Sequence, residues 1–364
     1  MITPAMPHVK IRVLVVDDSA FIRRAIISMF EKSPDISIID VAADGEMAID
    51  LIKKLRPDVV TLDVQMPVLD GLAALARIMK ECPTPVIMLS SITGKGGDKT
   101  LKALELGAVD FIDKTSAGGP MDFSGISREL AAKIMMAAGI ELHKLATHDQ
   151  KPAPATPKTA AATYPNSSET EVVVIGTSTG GPPALQTILC NIPADFPCPV
   201  LIVQHMPVGF TASLAERLNR ISPAAVKEAV NGEALHPGTV YIAPGGRHLK
   251  IRRSGTELSV RLDDLPDNSL HRPSVDVLLE SVAAVCGAKS IAFVLTGMGR
   301  DGAIGAQAVK SAGGKVVVES EETAIVFGMP KAVMETTSVD GVIPLHQVAD
   351  YMVKMTTPRS TSLS

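Results

Sequence analysis

From residue 10 onward the chain alternates short, continuous apolar runs with stretches whose apolar positions recur every three to four residues. The runs at 11–16, 36–41, 59–62, 86–89 and 109–112 are rich in valine and isoleucine, and helical spacing fills 20–30, 47–55, 71–80 and 100–106 between them. A continuous apolar run suits a strand covered on both faces, and parallel neighbours need crossover helices. Five such repeats predict a flavodoxin-like, five-stranded parallel sheet. An amphipathic helix is expected over 126–145. The segment Lys151-Pro152-Ala153-Pro154-Ala155-Thr156-Pro157, continued through 160–163, has the composition of an extended linker. At Glu171 the rhythm restarts, with apolar runs at 172–175, 200–203, 240–243, 291–295 and 316–318. A second α/β domain follows, doubly wound and Rossmann-like, and the alternation over 249–262 around Ser254-Gly255 predicts an inserted antiparallel hairpin. The expected division is a first domain over 9–128, a linker over 129–169 and a second domain over 170–358.

With 364 residues, two domains are the natural division, and 46% hydrophobic with 20% charged residues fits packed cores rather than disorder. A net charge of -4 offers no basic surface for nucleic acid or an anionic membrane. Residues 1–8 lack the charged and apolar regions of a signal peptide, and the low-charge stretch 131–140 is too short to span a bilayer. A cytoplasmic protein without membrane insertion is expected. The four cysteines, Cys82, Cys190, Cys198 and Cys286, form no CxxC pair, so they read as reduced thiols rather than a zinc or redox motif.

Acid follows the first apolar run at Asp17-Asp18 and ends the third at Asp63. In a parallel sheet these strand ends lie together, where three carboxylates repel one another unless a cation neutralises them. Ser90 and Lys114 end the fourth and fifth runs, and a hydroxyl and an ammonium there suit the oxygens of a phosphoryl group. Single acids at strand ends are usually helix caps or solvated; five such positions in order are not. Residues 9–128 resemble response-regulator receiver domains through Asp17-Asp18-Ser19, Leu62-Asp63-Val64-Gln65-Met66-Pro67, Asp70-Gly71, Ser90 and Lys114. That resemblance implies that Asp63 accepts phosphate and that Asp17, Asp18 and Asp63 hold Mg²⁺. It further implies that Ser90 and Lys114 respond to the new charge and that Phe111 is the aromatic that moves with it. Thr115 stands where many receivers have proline.

In the second domain Gly176-Thr177-Ser178-Thr179-Gly180-Gly181 follows a strand and precedes Pro182-Pro183, a helix start. The pattern G-x-S-x-G exposes a serine on a sharp strand-to-helix turn. A dinucleotide-binding loop is the competing reading. Ser178 replaces that motif's middle glycine, and the next strand ends in Gln204-His205 instead of an acid for a ribose. A third glycine-rich turn, Thr296-Gly297-Met298-Gly299-Arg300-Asp301-Gly302, offers a carboxylate and free backbone N–H groups. Serine, histidine and acid at three strand ends fit a nucleophile, a base and its orienting carboxylate. Asp276 competes with Asp301 for the last role, and Ser274 reads as a helix cap.

These motifs, with Gln204-His205-Met206-Pro207, Tyr241-Ile242-Ala243-Pro244-Gly245, His271-Arg272-Pro273-Ser274-Val275-Asp276 and Phe327-Gly328-Met329-Pro330, resemble the CheB family of protein-glutamate methylesterases and glutamine deamidases. The resemblance implies Ser178 as nucleophile, His205 as base, Asp301 as its orienting acid and the Met298 backbone N–H as oxyanion donor, with no cofactor in this domain. It implies a phosphorylation-activated hydrolase that demethylates glutamates of methyl-accepting chemoreceptors, with a chemotaxis histidine kinase as phosphodonor. By the same resemblance the unphosphorylated receiver blocks the cleft. A monomer is expected. A DNA-binding regulator or a nucleotide-dependent reductase would need a basic recognition element or a ribose-binding acid, and the chain offers neither at the required place.

Overall fold

Strands β1 (Ile11–Val16), β2 (Ile36–Ala42), β3 (Val59–Asp63), β4 (Val86–Ser90) and β5 (Asp110–Asp113) form one wholly parallel sheet in the order β2-β1-β3-β4-β5. The computed structural model describes residues 9–90, 96–114, 123–141 and 170–356. The chain divides into two units, Met1–Thr147 and His148–Ser364.

In the first unit every residue of β3 and β4 is buried, as continuous apolar runs require. Helices α1 (Ala20–Phe30), α2 (Gly45–Leu55), α3 (Gly71–Glu81), α4 (Gly96–Glu105) and α5 (Phe123–Ala137) complete the repeats. Ser19, Asp44 and Asp70 cap α1, α2 and α3, each side chain accepting a first-turn N–H. The connection from β1 runs to β2 on one side and that from β3 to β4 on the other, so the sheet's crevice opens where β1 and β3 end.

Of the expected helix over 126–145, residues 142–145 lie outside the described residues, and within the rest the helix is shorter. It ends at Ala137, where the Gly139 N–H turns back onto the Met136 carbonyl. Ile126, Leu130, Ile134 and Ala137 are buried, so α5 belongs to the packing of the first unit and straddles residue 128. The segment 151–163 and Thr115 lie outside the described residues.

The second unit is a seven-stranded parallel sheet in the order β14-β13-β12-β6-β7-β9-β8. Its members are β6 (Val172–Thr177), β7 (Val200–Gln204), β8 (Ala225–Glu228), β9 (Thr239–Ile242), β12 (Ser290–Val294), β13 (Lys315–Glu319) and β14 (Gly341–Ile343). The expected hairpin is β10 (His248–Ser254) paired with β11 (Glu257–Asp263). Two edge strands, β8 and β14, go beyond the sequence reading; they are four and three residues long and only partly buried. From β6 the connections run towards β7 and from β12 towards β13, in opposite directions along the sheet, so the carboxyl ends of β6, β7 and β12 share one crevice.

Candidate active site and phosphoryl pocket

At the first sheet's crevice, one ligand oxygen from each of Asp17, Asp18 and Asp63 lies within 4.8 Å of the others. Asp17 is fully buried and Asp63 nearly so, whereas Asp18 is exposed. Lys114 reaches across from the end of β5, its Nζ 2.7 Å from Asp17 Oδ2 and 2.8 Å from Asp63 Oδ1. Burial raises the Asp63 carboxyl above the ordinary range, and the Lys114 ammonium works against that rise.

A cavity of about 230 Å³ is lined by Asp18, Asp63, Val64, Gln65, Ser90, Lys99 and Lys114. Ser90 accepts a hydrogen bond from Thr100 Oγ1 at 2.8 Å. Phe111 is buried, and Lys133 of α5 donates to its carbonyl at 2.6 Å while bridging to Asp110 at 3.2 Å. All six first-domain positions singled out in the sequence thus fall at or behind one crevice. Lys99, which follows no strand, escaped that reading. Three hard carboxylate oxygens, only partly offset by one ammonium, are a donor set that fits Mg²⁺.

In the second unit Thr177 pairs with Gln204 across β6 and β7. The next residues, Ser178 and His205, therefore leave the sheet side by side, with the His205 N–H donating to the Thr177 carbonyl at 3.1 Å. Gln204 fastens both strand ends: its Oε1 accepts from Thr177 Oγ1 at 2.7 Å, and its Nε2 donates to the carbonyls of Ser178 at 2.9 Å and His205 at 3.2 Å. Gly180, at φ +79°, turns the chain from β6 into helix Gly181–Leu189, a left-handed conformation that a side chain would strain. Gly297 lets the third turn approach. A Cβ there would sit 2.8 Å from Ser178 Cβ and 2.3 Å from Met329 Sδ.

His205 Nε2 lies 2.7 Å from Asp301 Oδ2, and both side chains are largely buried. The other ring nitrogen, Nδ1, is buried and has no hydrogen-bond partner. His271 stacks on the ring, centroids 4.0 Å apart and planes 16° from parallel. Asp301 sits at the amino end of helix Val275–Cys286, accepting from Ser274 Oγ at 2.8 Å, Val275 N–H at 2.7 Å and Asp276 N–H at 3.0 Å. Burial alone would raise this carboxyl. The His205 hydrogen bond and charge, with the two helix N–H groups, outweigh burial and hold it well below the ordinary carboxylate range.

Asp276 is not bonded to the imidazole; its carboxyl accepts the Gly305 N–H at 2.7 Å and lies against that of Asp301. Burial and the neighbouring Asp301 charge push it up to about 6. Of the two acids, the imidazole is bonded to Asp301. Ser274 caps its helix through the Val277 N–H. The Met298 N–H carries no hydrogen bond among the described residues. His271 was visible in the sequence only as part of the His271–Asp276 motif; nothing there announced the stack.

Comparison with known proteins places these sites in context. The family model described as CheB methylesterase matches residues 173–352, and that of the response regulator receiver domain matches 13–120. A protein-glutamate methylesterase/protein-glutamine glutaminase of Geobacillus kaustophilus is 45% identical over 346 residues, covering 95% of this chain and 98% of its own. A protein of the same description from Archaeoglobus fulgidus is 44% identical over 343 residues, covering 94% of this chain and 97% of its own. The crystal structure of the Thermotoga maritima CheB methylesterase catalytic domain is 46% identical with a TM-score of 0.50, covering 50% of this chain and 97% of that one.

Proposed function

This chain belongs to the CheB methylesterase family, in the form joined to a response-regulator receiver domain, and on that premise we propose that it removes methyl esters from glutamate side chains of chemoreceptors, and the amide from glutamines, when Asp63 is phosphorylated. The single observation that carries the reading is the His205 ring, with one nitrogen on Asp301 and the other buried and unpartnered, on the strand end beside Ser178.

The chemistry follows from proton placement. A carboxylate held far below neutrality only accepts, so Asp301 fixes the proton of His205 on Nε2 and leaves a lone pair on Nδ1. Ser178 Oγ gives its proton to Nδ1 as it attacks the ester carbonyl carbon. The carbonyl π electrons move onto oxygen, where the Met298 N–H receives the developing charge. Collapse breaks the bond to methoxide, which takes the proton from Nδ1 and leaves as methanol. Water then attacks the acyl-enzyme, giving its proton to Nδ1, and Ser178 Oγ is expelled and reprotonated to release glutamate. A glutamine follows the same course with ammonia leaving. Asp301 stabilises the imidazolium formed in each half. An oxyanion donor of this kind lowers the barrier by about 2.7–4 kcal/mol.

In the receiver, Asp17, Asp18 and Asp63 would hold Mg²⁺, which supplies positive charge beside an incoming phosphoryl group. Asp63 accepts the phosphoryl from a histidine kinase, and Lys114 and Ser90 hold its oxygens. Among the described residues no helix is long and apolar enough to cross a membrane. We place the enzyme in the cytoplasm as a monomer, acting on the cytoplasmic part of its receptors. Methanol release from methylated receptor tests the reading. It should rise with Mg²⁺ and a small phosphodonor, and disappear in Ser178→Ala. Undiminished release by Ser178→Ala refutes it.

A further inference from the structure

We propose that Thr296 and Glu319 are positioning residues that fix the distance between the nucleophile and the oxyanion donor; this deepens the esterase reading and rests on it. Thr296 is buried and uses every polar atom it has. Its carbonyl accepts the Ser178 N–H at 3.0 Å, and its Oγ1 donates to the Thr179 carbonyl at 2.9 Å. The same Oγ1 accepts the Val326 N–H at 3.0 Å, and its own N–H donates to Glu319 Oε2 at 2.8 Å. One residue thus ties the nucleophile turn, the segment before Gly328 and the end of β13.

Met298 lies two residues beyond Thr296, and Gly297 between them is bonded on both sides. Its N–H donates to the Val326 carbonyl at 3.0 Å, and its carbonyl accepts the Met329 N–H at 2.8 Å. Any shift of Thr296 therefore moves Ser178 and the Met298 N–H relative to each other. Glu319 holds Thr296 in place. It is wholly buried, and its second oxygen, Oε1, accepts from Thr323 Oγ1 at 2.9 Å. Thr323 Oγ1 in turn accepts the Leu345 N–H at 2.9 Å, so the carboxyl cannot swing away without stranding the buried Thr296 N–H and breaking this link. A buried carboxyl whose hydrogen bonds run to the backbone beside the nucleophile sets geometry that an apolar filler of equal volume would leave loose.

The test uses the full chain with phosphodonor and Mg²⁺, with rates taken per site titrated by a fluorophosphonate, so that partial unfolding does not enter. Thr296→Val keeps shape and loses both hydroxyl bonds. Its kcat should fall about tenfold or more, with KM within about twofold and the rate of phosphonate labelling falling in parallel. Thr296→Ser restores the hydroxyl and should recover most of kcat. Glu319→Gln keeps an oxygen for the Thr296 N–H and can donate its amide to Thr323, so it should lose much less than Glu319→Ala. Two outcomes overturn the proposal: Thr296→Val with a normal kcat per titrated site, or Thr296→Ser no better than Thr296→Val. Ser178→Ala separates the failures. If it is inactive while Thr296→Val is normal, only the positioning role is wrong; if it is active, the serine mechanism itself is wrong.

Discussion

Replacing Asp301 by asparagine disturbs the site in a way the hydrogen bonds define. Oδ2 faces two donors, His205 Nε2 at 2.7 Å and the Val275 N–H at 2.7 Å; Oδ1 faces Ser274 Oγ at 2.8 Å and the Asp276 N–H at 3.0 Å. An amide offers one acceptor oxygen and one NH₂. With the NH₂ at the Oδ2 position it opposes the Val275 N–H and donates to His205 Nε2, forcing the ring proton onto Nδ1, where it blocks the base. With the NH₂ at the Oδ1 position it opposes the Asp276 N–H, and the imidazolium loses its counterion. Either arrangement sets buried donor against buried donor, costing about 1–3 kcal/mol of stability. The catalytic loss is larger, on the order of 10³ to 10⁴ in kcat with KM little changed, as in other hydrolases of this design. Steady-state methanol release with a parallel urea melt gives both numbers. A kcat within about tenfold of wild type, with the fold intact, would show that Asp301 neither sets the tautomer nor stabilises the imidazolium.

Three further outcomes can be measured. Asp276 is raised from an ordinary 3.8 to about 6, chiefly by burial, so the folded state binds its proton more tightly than the unfolded chain. Its contribution is complete below pH 3.8 and is lost as pH climbs through about 6. At about 1.4 kcal/mol per pH unit, discounted for partial solvent contact, wild type should lose about 1–2 kcal/mol across that window relative to Asp276→Asn; parallel slopes in urea melts would refute the assignment. Asp63→Asn should abolish the ratio of rates with and without phosphodonor, and removal of Mg²⁺ by chelation should do the same to wild type; a stimulated rate in Asp63→Asn would place the phosphoryl acceptor elsewhere. The Thr296 and Glu319 series adds the split between kcat and KM.

Much of this was legible because a parallel sheet gathers the residues that follow its strands. Asp17, Asp63, Ser90 and Lys114 in the first unit, and Ser178 and His205 in the second, each end or follow an apolar run, so a one-dimensional pattern located them at the carboxyl ends of their own sheet. The choice of Asp301 over Asp276 was not fixed that way, since both follow turns and open helices. What separates them is the amino end of helix Val275–Cys286, which aims two N–H groups at Asp301. The free nitrogen of His205, the His271 stack and the Thr296–Glu319 link depend on side-chain directions that spacing does not encode. The edge strands β8 and β14 were invisible because three or four half-buried residues carry too little periodicity. The early end of α5 at Ala137 falls inside a stretch whose apolar spacing gives no sign of a stop.

The central claim is that Ser178 is the nucleophile activated by His205 on Asp301. Mass spectrometric mapping of the full chain after reaction with a fluorophosphonate tests it most directly. The adduct should appear on the peptide carrying Ser178, methanol release should fall in proportion to labelling, and His205→Gln should not be labelled at a measurable rate. Methanol release that continues with Ser178 fully labelled would contradict the account.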